Sequence, residues 1–162
     1  MSVPMLLSSE SLIKIDKAIA KYPADQKQSA VMAALTIAQD EKGWLSHETM
    51  DCVAAYLGMP PIAVYEVASF YTMYDLKPVG RSKLSICTNL PCALLGANVA
   101  AQHLKTKLGI GFGETTADGA FTLKESECMG ACGDAPVLIR NNKQMLCAMT
   151  ADKLDKLIEE LK

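Results

Sequence analysis

Aromatic residues are scarce in this chain, with three Phe, five Tyr and one Trp among 162 residues, and histidine is scarcer still at two. His47 and His103 both lie away from the cysteine loops, so a Rieske centre, which needs two histidine ligands, has no material. An excess of positive charge is lacking too. Sixteen Lys and Arg stand against eighteen Asp and Glu, for a net charge of −2, which leaves nothing to hold nucleic-acid phosphates broadly. No apolar run approaches the roughly 18 residues of a membrane-spanning helix, so direct membrane insertion is not expected. The opening MSVPMLLSSESLIKIDKAIAKY has no basic stretch ahead of its short apolar run, carries Glu10 and Asp16, and lacks arginine. Neither a secretory signal nor a transit peptide is expected from it, and a cytoplasmic chain is. There is no P-loop. The glycine-rich stretch Gly109-Ile-Gly-Phe-Gly-Glu114 has Glu114 where a dinucleotide fingerprint needs its third glycine, and it precedes a strand pattern where the fingerprint follows one. No paired carboxylates, Ser-His-Asp set or Cys-His pair occurs at diagnostic spacing, so no substrate-transforming site is expected.

What the chain does have is a hydrophobic half, enough to pack one domain or two small ones, and six cysteines. In a reducing compartment, clustered cysteines hold metal or do redox chemistry more often than they form structural disulfides. Cys87 and Cys92 are separated by four residues, Cys128 and Cys132 by three, and thirty-five residues lie between the two pairs. Cys52, beside helical core positions, and Cys147, in an apolar strand pattern, read as core material.

The periodicity changes part-way along. Over 1–76 it is helical. Ser8 or Ser9 can cap a first helix with Leu12, Ile15 and Ile19 on its apolar face, and a second runs from about Gln26 to Glu41 and stops at Gly43. Ser46 opens a third with Met50, Val53, Ala54 and Leu57 in register, closed by Gly58. Pro60-Pro61 suits the first turn of a fourth carrying Val64, Val67, Ala68 and Tyr71. Short loops between them predict a small bundle. Trp44 and the run Phe70-Tyr71-Thr-Met-Tyr74 read chiefly as core, with any exposed part marking a partner surface.

Over 77–162 the pattern is mixed. Arg81–Cys87 alternates as a strand, 93–107 is helical, and Ala120–Leu123 restarts a strand. Two further strands flank Asn141-Asn142, and Thr150 opens a last helix with Leu154, Leu157, Ile158 and Leu161. The fold class expected is α+β: an N-terminal helical bundle followed by a thioredoxin-like β-α-β-β-β-α domain. A right-handed crossover between parallel strands brings the loops after both strands to one edge of the sheet. One of those loops carries Cys87 and Cys92, the other Cys128 and Cys132. Four thiolates meeting there suit a [2Fe–2S] centre, one pair to each iron. Zinc also remains open, since its knuckles use cysteines two to four residues apart. The plant-type spacing fails at Leu95, the bacterial run ending in Cys-Pro fails at Gly133, and the Cys-x-x-Cys of a redox dithiol is absent. Asn89 and Pro91 in one loop, and Gly130 and Gly133 in the other, either shape those loops or serve the cluster: backbone N–H groups aimed at sulfur, and glycine allowing close approach. The neutral loops T-N-L-P and M-G-A, with acidic Glu125, Glu127 and Asp134 beside them, predict a low reduction potential.

The pattern Cys87-x4-Cys92, then Cys128-Met-Gly-Ala-Cys132-Gly-Asp-Ala-Pro, resembles that of the thioredoxin-like [2Fe–2S] ferredoxin subunits of respiratory complex I. These are the E chains of bacterial NADH:quinone oxidoreductase and their mitochondrial flavoprotein 2 counterparts. Ala38-Gln39, Gly43-Trp44-Leu45, Val67–Tyr74, Pro78-Val79-Gly80 and Gly113–Leu123 support the likeness, which runs from about Tyr22 to the end. The resemblance implies that Cys87, Cys92, Cys128 and Cys132 ligate one [2Fe–2S] cluster, the one called N1a, off the main route to quinone. It implies that the helical half docks on a flavoprotein subunit holding FMN and NADH, beside other peripheral-arm subunits on the cytoplasmic (or matrix) side of the inner membrane. It implies single-electron exchange with that FMN and no substrate-transforming site in this chain. Equivalent subunits serve NAD-linked hydrogenases and formate dehydrogenases, which is the alternative within the family. A zinc-stapled interaction module is the alternative outside it.

Overall fold

The computed structural model describes residues 6–162. The first five residues, part of the stretch that bears on targeting signals, lie outside the described residues. The chain divides into two compact units, Met1–Pro78 and Val79–Lys162.

Among the described residues, the first unit holds four α-helices: α1 (Ser9–Ile19), α2 (Val31–Lys42), α3 (His47–Leu57) and α4 (Pro61–Phe70). Their ends follow local chemistry. Ser8 Oγ accepts the Ser11 N–H at 3.2 Å and Ser46 Oγ accepts the Thr49 N–H at 3.2 Å. Each such cap is worth about 1 kcal/mol. Gly43 and Gly58 end α2 and α3 in the left-handed conformation, with φ of 83° and 69°. The apolar faces meet in a core where Ile15, Leu35, Leu45, Val53 and Val64 are fully buried, and Cys52 lies among them. Gln39 fastens the segment after α4, donating to the Met73 carbonyl and accepting the Asp75 N–H. Two expectations change here. Residues 27–30 form a separate 3-10 turn ahead of α2, so the helix expected from Gln26 starts at Val31. Phe70 is 79% exposed at the end of α4, and Tyr71 is also exposed, whereas Tyr74 is in the core with its hydroxyl on the Met32 carbonyl.

The second unit runs β1 (Ser82–Cys87), α5 (Leu90–Leu94), α6 (Ala97–Leu108), β2 (Phe121–Ser126), β3 (Leu138–Arg140), β4 (Gln144–Leu146) and α7 (Ala151–Leu161). The sheet order is β2-β1-β3-β4, with β1 and β2 parallel and the other pairs antiparallel. This is the α+β order expected, except that the helix expected over 93–107 is two helices. Gly96, at φ 94°, breaks the helical path between them. Being central, β1 is buried at all six positions, including Ser82, Lys83 and Ser85. Leu104 of α6 and Leu154 and Ile158 of α7 complete a core with Leu84, Ile86, Leu123 and Leu138.

Two local devices set the sheet. At Gly80 an added Cβ would come within 2.8 Å of the Phe121 backbone, so only glycine allows this approach of the chain entering β1. Asn141 and Asn142, at φ 51° and 57°, form the tight turn between β3 and β4. Asn141 also grips the start of β1, accepting the Lys83 N–H at 2.7 Å and donating to the Arg81 carbonyl at 3.1 Å.

Candidate metal centre

Cys87 is the last residue of β1 and stands opposite Ser126, the last residue of β2. The strands are parallel, so the loops that follow them leave the sheet at the same edge. One leads within two residues to α5, which carries Cys92; the other reaches Cys128 two residues after Ser126 and Cys132 on a short 3-10 turn. Pro91 lies in the first turn of α5, where its missing N–H costs nothing and its ring favours the helix that holds Cys92.

The four thiols form a row of neighbours. Cys87 and Cys92 lie in one buried cluster, Cys87 is near enough to Cys132 to oppose its ionisation, and Cys128 and Cys132 are 3.6 Å apart between sulfurs. Among the described residues no three His, Cys, Asp or Glu side chains form a ready cage around one ion. The row has a dry end and a wet end. Cys87 and Cys92 are buried with Ala97 and Val137, under Met129, Ala131 and Ala135, whereas Cys128 is exposed and Cys132 half-buried.

One backbone N–H is aimed at a sulfur: Gly130, itself left-handed with φ of 76°, donates to Cys128 Sγ at 3.5 Å. The Val137 carbonyl accepts the Cys87 N–H at 3.1 Å. The ionisations follow from these surroundings. The Gly130 N–H, and then the neighbouring Cys132, hold the Cys128 thiol below the ordinary cysteine value. Its hydrogen bond with Cys128 and then burial push Cys132 up; burial and then the Cys87 thiol push Cys92 up.

The other candidates divide. Asn89 reaches the second loop through its side chain, with Oδ1 accepting the Cys128 N–H at 3.0 Å and Nδ2 donating to Glu127 at 2.8 Å. Gly133 has ordinary backbone geometry, and a Cβ there would meet nothing within 4 Å, so no described close approach demands glycine. Cys52 and Cys147 stand outside the row; Cys147 is half-buried just past β4, less enclosed than its apolar neighbours suggest. The sequence alone does not single out Val137 or Thr88. Thr88 Oγ1 donates to Glu125 at 2.6 Å, and only the spatial pairing of the two loops reveals either role.

A donor set of four thiols on two connections, one pair buried and the other more open, with a backbone N–H turned toward one sulfur, suits an iron–sulfur centre. The sequence profile of the thioredoxin-like [2Fe–2S] ferredoxin family matches residues 15–162. The chain belongs to that family. This ferredoxin is 44% identical over 149 residues to an E-type NADH-quinone oxidoreductase subunit of Rhizobium meliloti (strain 1021), covering 92% of this chain and 87% of that protein. It is 41% identical over 158 residues to the mitochondrial NADH dehydrogenase [ubiquinone] flavoprotein 2 of Dictyostelium discoideum, covering 95% of this chain and 64% of that longer protein. In three dimensions it resembles a chain of an NAD+-reducing [NiFe]-hydrogenase, with TM-score 0.68 and 22% identity over 78% of this chain and 22% of that one. At that identity the hydrogenase likeness is one of fold. Among the described residues of the ferredoxin, no helix is long and apolar enough to cross a membrane.

Proposed function

We propose that Cys87, Cys92, Cys128 and Cys132 ligate one [2Fe–2S] cluster, and that the chain is the electron-carrying subunit of an NADH:quinone oxidoreductase. In this role it exchanges single electrons with the FMN of an adjacent flavoprotein subunit. The observation that carries the reading is the pairing of Cys87 with Ser126, from which both cysteine loops leave the sheet at one edge. The family and the names of relatives at 40% identity and above favour this parent complex over a hydrogenase.

The bound cluster would supply a one-electron store, which is what a flavin reduced by NADH in a two-electron step needs beside it. The chain's own contribution is to hold four thiolates in place and to set their surroundings. The apolar shell of Val137, Ala97, Met129 and Ala131 excludes water from Cys87 and Cys92. The Gly130 N–H stabilises negative charge on the Cys128 sulfur, and the Glu127 carboxylate opposes it there. Cys128, exposed, and Cys132, half-buried, form the side open to an electron partner. The helical unit, with Phe70 and Ile62 exposed on α4, would dock on the flavoprotein subunit, peripheral to the membrane.

The test is anaerobic reconstitution of the full chain, followed by iron and sulfide analysis and EPR. About two irons per chain, with a reduced-state signal of one unpaired electron, are expected. Zinc in place of iron after purification under iron-replete, anaerobic conditions would overturn the reading. So would a chemically reduced cluster that passes no electron to the oxidised FMN of the flavoprotein subunit.

A further inference from the structure

Asn89 occupies the position immediately before α5, where an asparagine side chain ordinarily accepts an N–H from the first turn of its own helix. Here it makes no such bond. Its amide crosses instead to the second cysteine loop, with Oδ1 on the Cys128 N–H at 3.0 Å and Nδ2 on Glu127 Oε2 at 2.8 Å. The chemistry fixes which way round it sits, because an N–H can meet only the carbonyl end and a carboxylate only the amino end. The position of this crossing matters. The β1–β2 ladder ends at Cys87 and Ser126, and the Thr88 N–H on the Ser126 carbonyl is a long 3.4 Å. Beyond that point the spacing of the two loops depends on side chains, and Asn89 lies between Cys87 and Cys92 while gripping the backbone of Cys128.

We infer that Asn89 is a positioning residue: its side chain clasps the first cysteine loop to the second, through Glu127 and the Cys128 backbone, and so holds the four thiols at cluster-binding distance. The inference rests on the ligand assignment proposed above. A single amide spans a carboxylate on one loop and the peptide that precedes a ligand sulfur. Its loss frees both at once and leaves Glu127 without its neutral partner beside an anionic centre. Retention of the cluster therefore depends on the donor and acceptor pattern at positions 89 and 127.

A reversal of roles provides the test. Asn89→Asp keeps an acceptor for the Cys128 N–H but sets two carboxylates against each other. Combining it with Glu127→Gln restores the bond with donor and acceptor exchanged and the local charge unchanged. The full-length wild type, N89D and N89D/E127Q are reconstituted anaerobically, and bleaching of the cluster by excess chelator is timed, with the EPR spectrum recorded for each. Cluster loss from N89D should be about tenfold faster, the scale of one charge-assisted hydrogen bond. The double variant should return to within about threefold of wild type, with the wild-type spectrum. Unchanged retention in N89D would overturn the clasp, as would a double variant no better than N89D, whether through poor folding or poor loading. Failure of the wild-type chain itself to take up iron would instead remove the ligand assignment, so the two failures are distinguishable.

Discussion

The backbone N–H of Gly130 points at the sulfur of Cys128 across 3.5 Å, and Gly130 itself adopts a left-handed backbone. A loop residue thus supplies electrostatic support to an exposed thiol without contributing a side chain. Alanine at Gly130 would meet no atom within 4 Å, so its cost is conformational alone, about 1–2 kcal/mol. Gly130→Ala is expected to lower the melting midpoint of the apo chain and, as the loop shifts to relieve the strain and carries the N–H off the sulfur, to move the cluster potential downward in an EPR-monitored titration. Gly133→Ala, in open space with ordinary geometry, should leave both measurements near wild type.

The ligand assignment predicts a sharp division among the six cysteines. Cys87→Ala and Cys132→Ala should each abolish the visible iron–sulfur absorption of the reconstituted chain. Cys52→Ala should leave it intact, since Cys52 is buried in the helical core of the other unit. A cluster that survives in C87A or C132A and fails in C52A would reverse the assignment.

Gly80 predicts a purely steric effect. A Cβ there would sit 2.8 and 2.9 Å from backbone atoms of Phe121, which cannot rotate away. Gly80→Ala should therefore destabilise the sheet unit by about 1–3 kcal/mol, as overpacking does. Chemical denaturation should register this as a lower midpoint for the 79–162 unit.

Glu41 predicts a pH effect in the helical unit. Its carboxyl is held at about 2 by hydrogen bonds, first from the Ser11 side chain, then from Lys42 and Ser8. A carboxyl held below its ordinary value stabilises the fold above about pH 4.5, and that contribution is lost as the pH falls toward 2. The group stands largely in solvent, so the amount is under about 1 kcal/mol. Glu41→Gln should be slightly less stable than wild type at pH 7, and the difference should vanish in melts near pH 2.

These residues also mark what is readable in the sequence. Ser8, Ser46, Gly43 and Gly58 act through their own neighbours along the chain, so helix ends at those positions follow from local chemistry. The meeting of the two cysteine loops is readable for a global reason: a parallel pair joined by a right-handed crossover has one possible edge for both loops. The break at Gly96 is hidden because apolar spacing runs through it, and only a positive φ distinguishes two helices from one. Phe70 reads as core because an aromatic at the end of an apolar helix looks the same whether it faces inward or out. Asn89 is legible as a loop residue and illegible as a link to Glu127, thirty-eight positions away, since no pattern along the chain encodes that meeting.

The grip of Asn141 on the first residues of β1 reaches further than the turn in which it sits. The strand leading into that turn is three residues long, about 10 Å, and its opposite end is continuous with Val137, whose carbonyl accepts the Cys87 N–H. A slip of one residue at the asparagine pair would carry that carbonyl away from Cys87. The alignment of the cysteine end of the sheet is thus calibrated from its far end, by a side chain held at the start of β1.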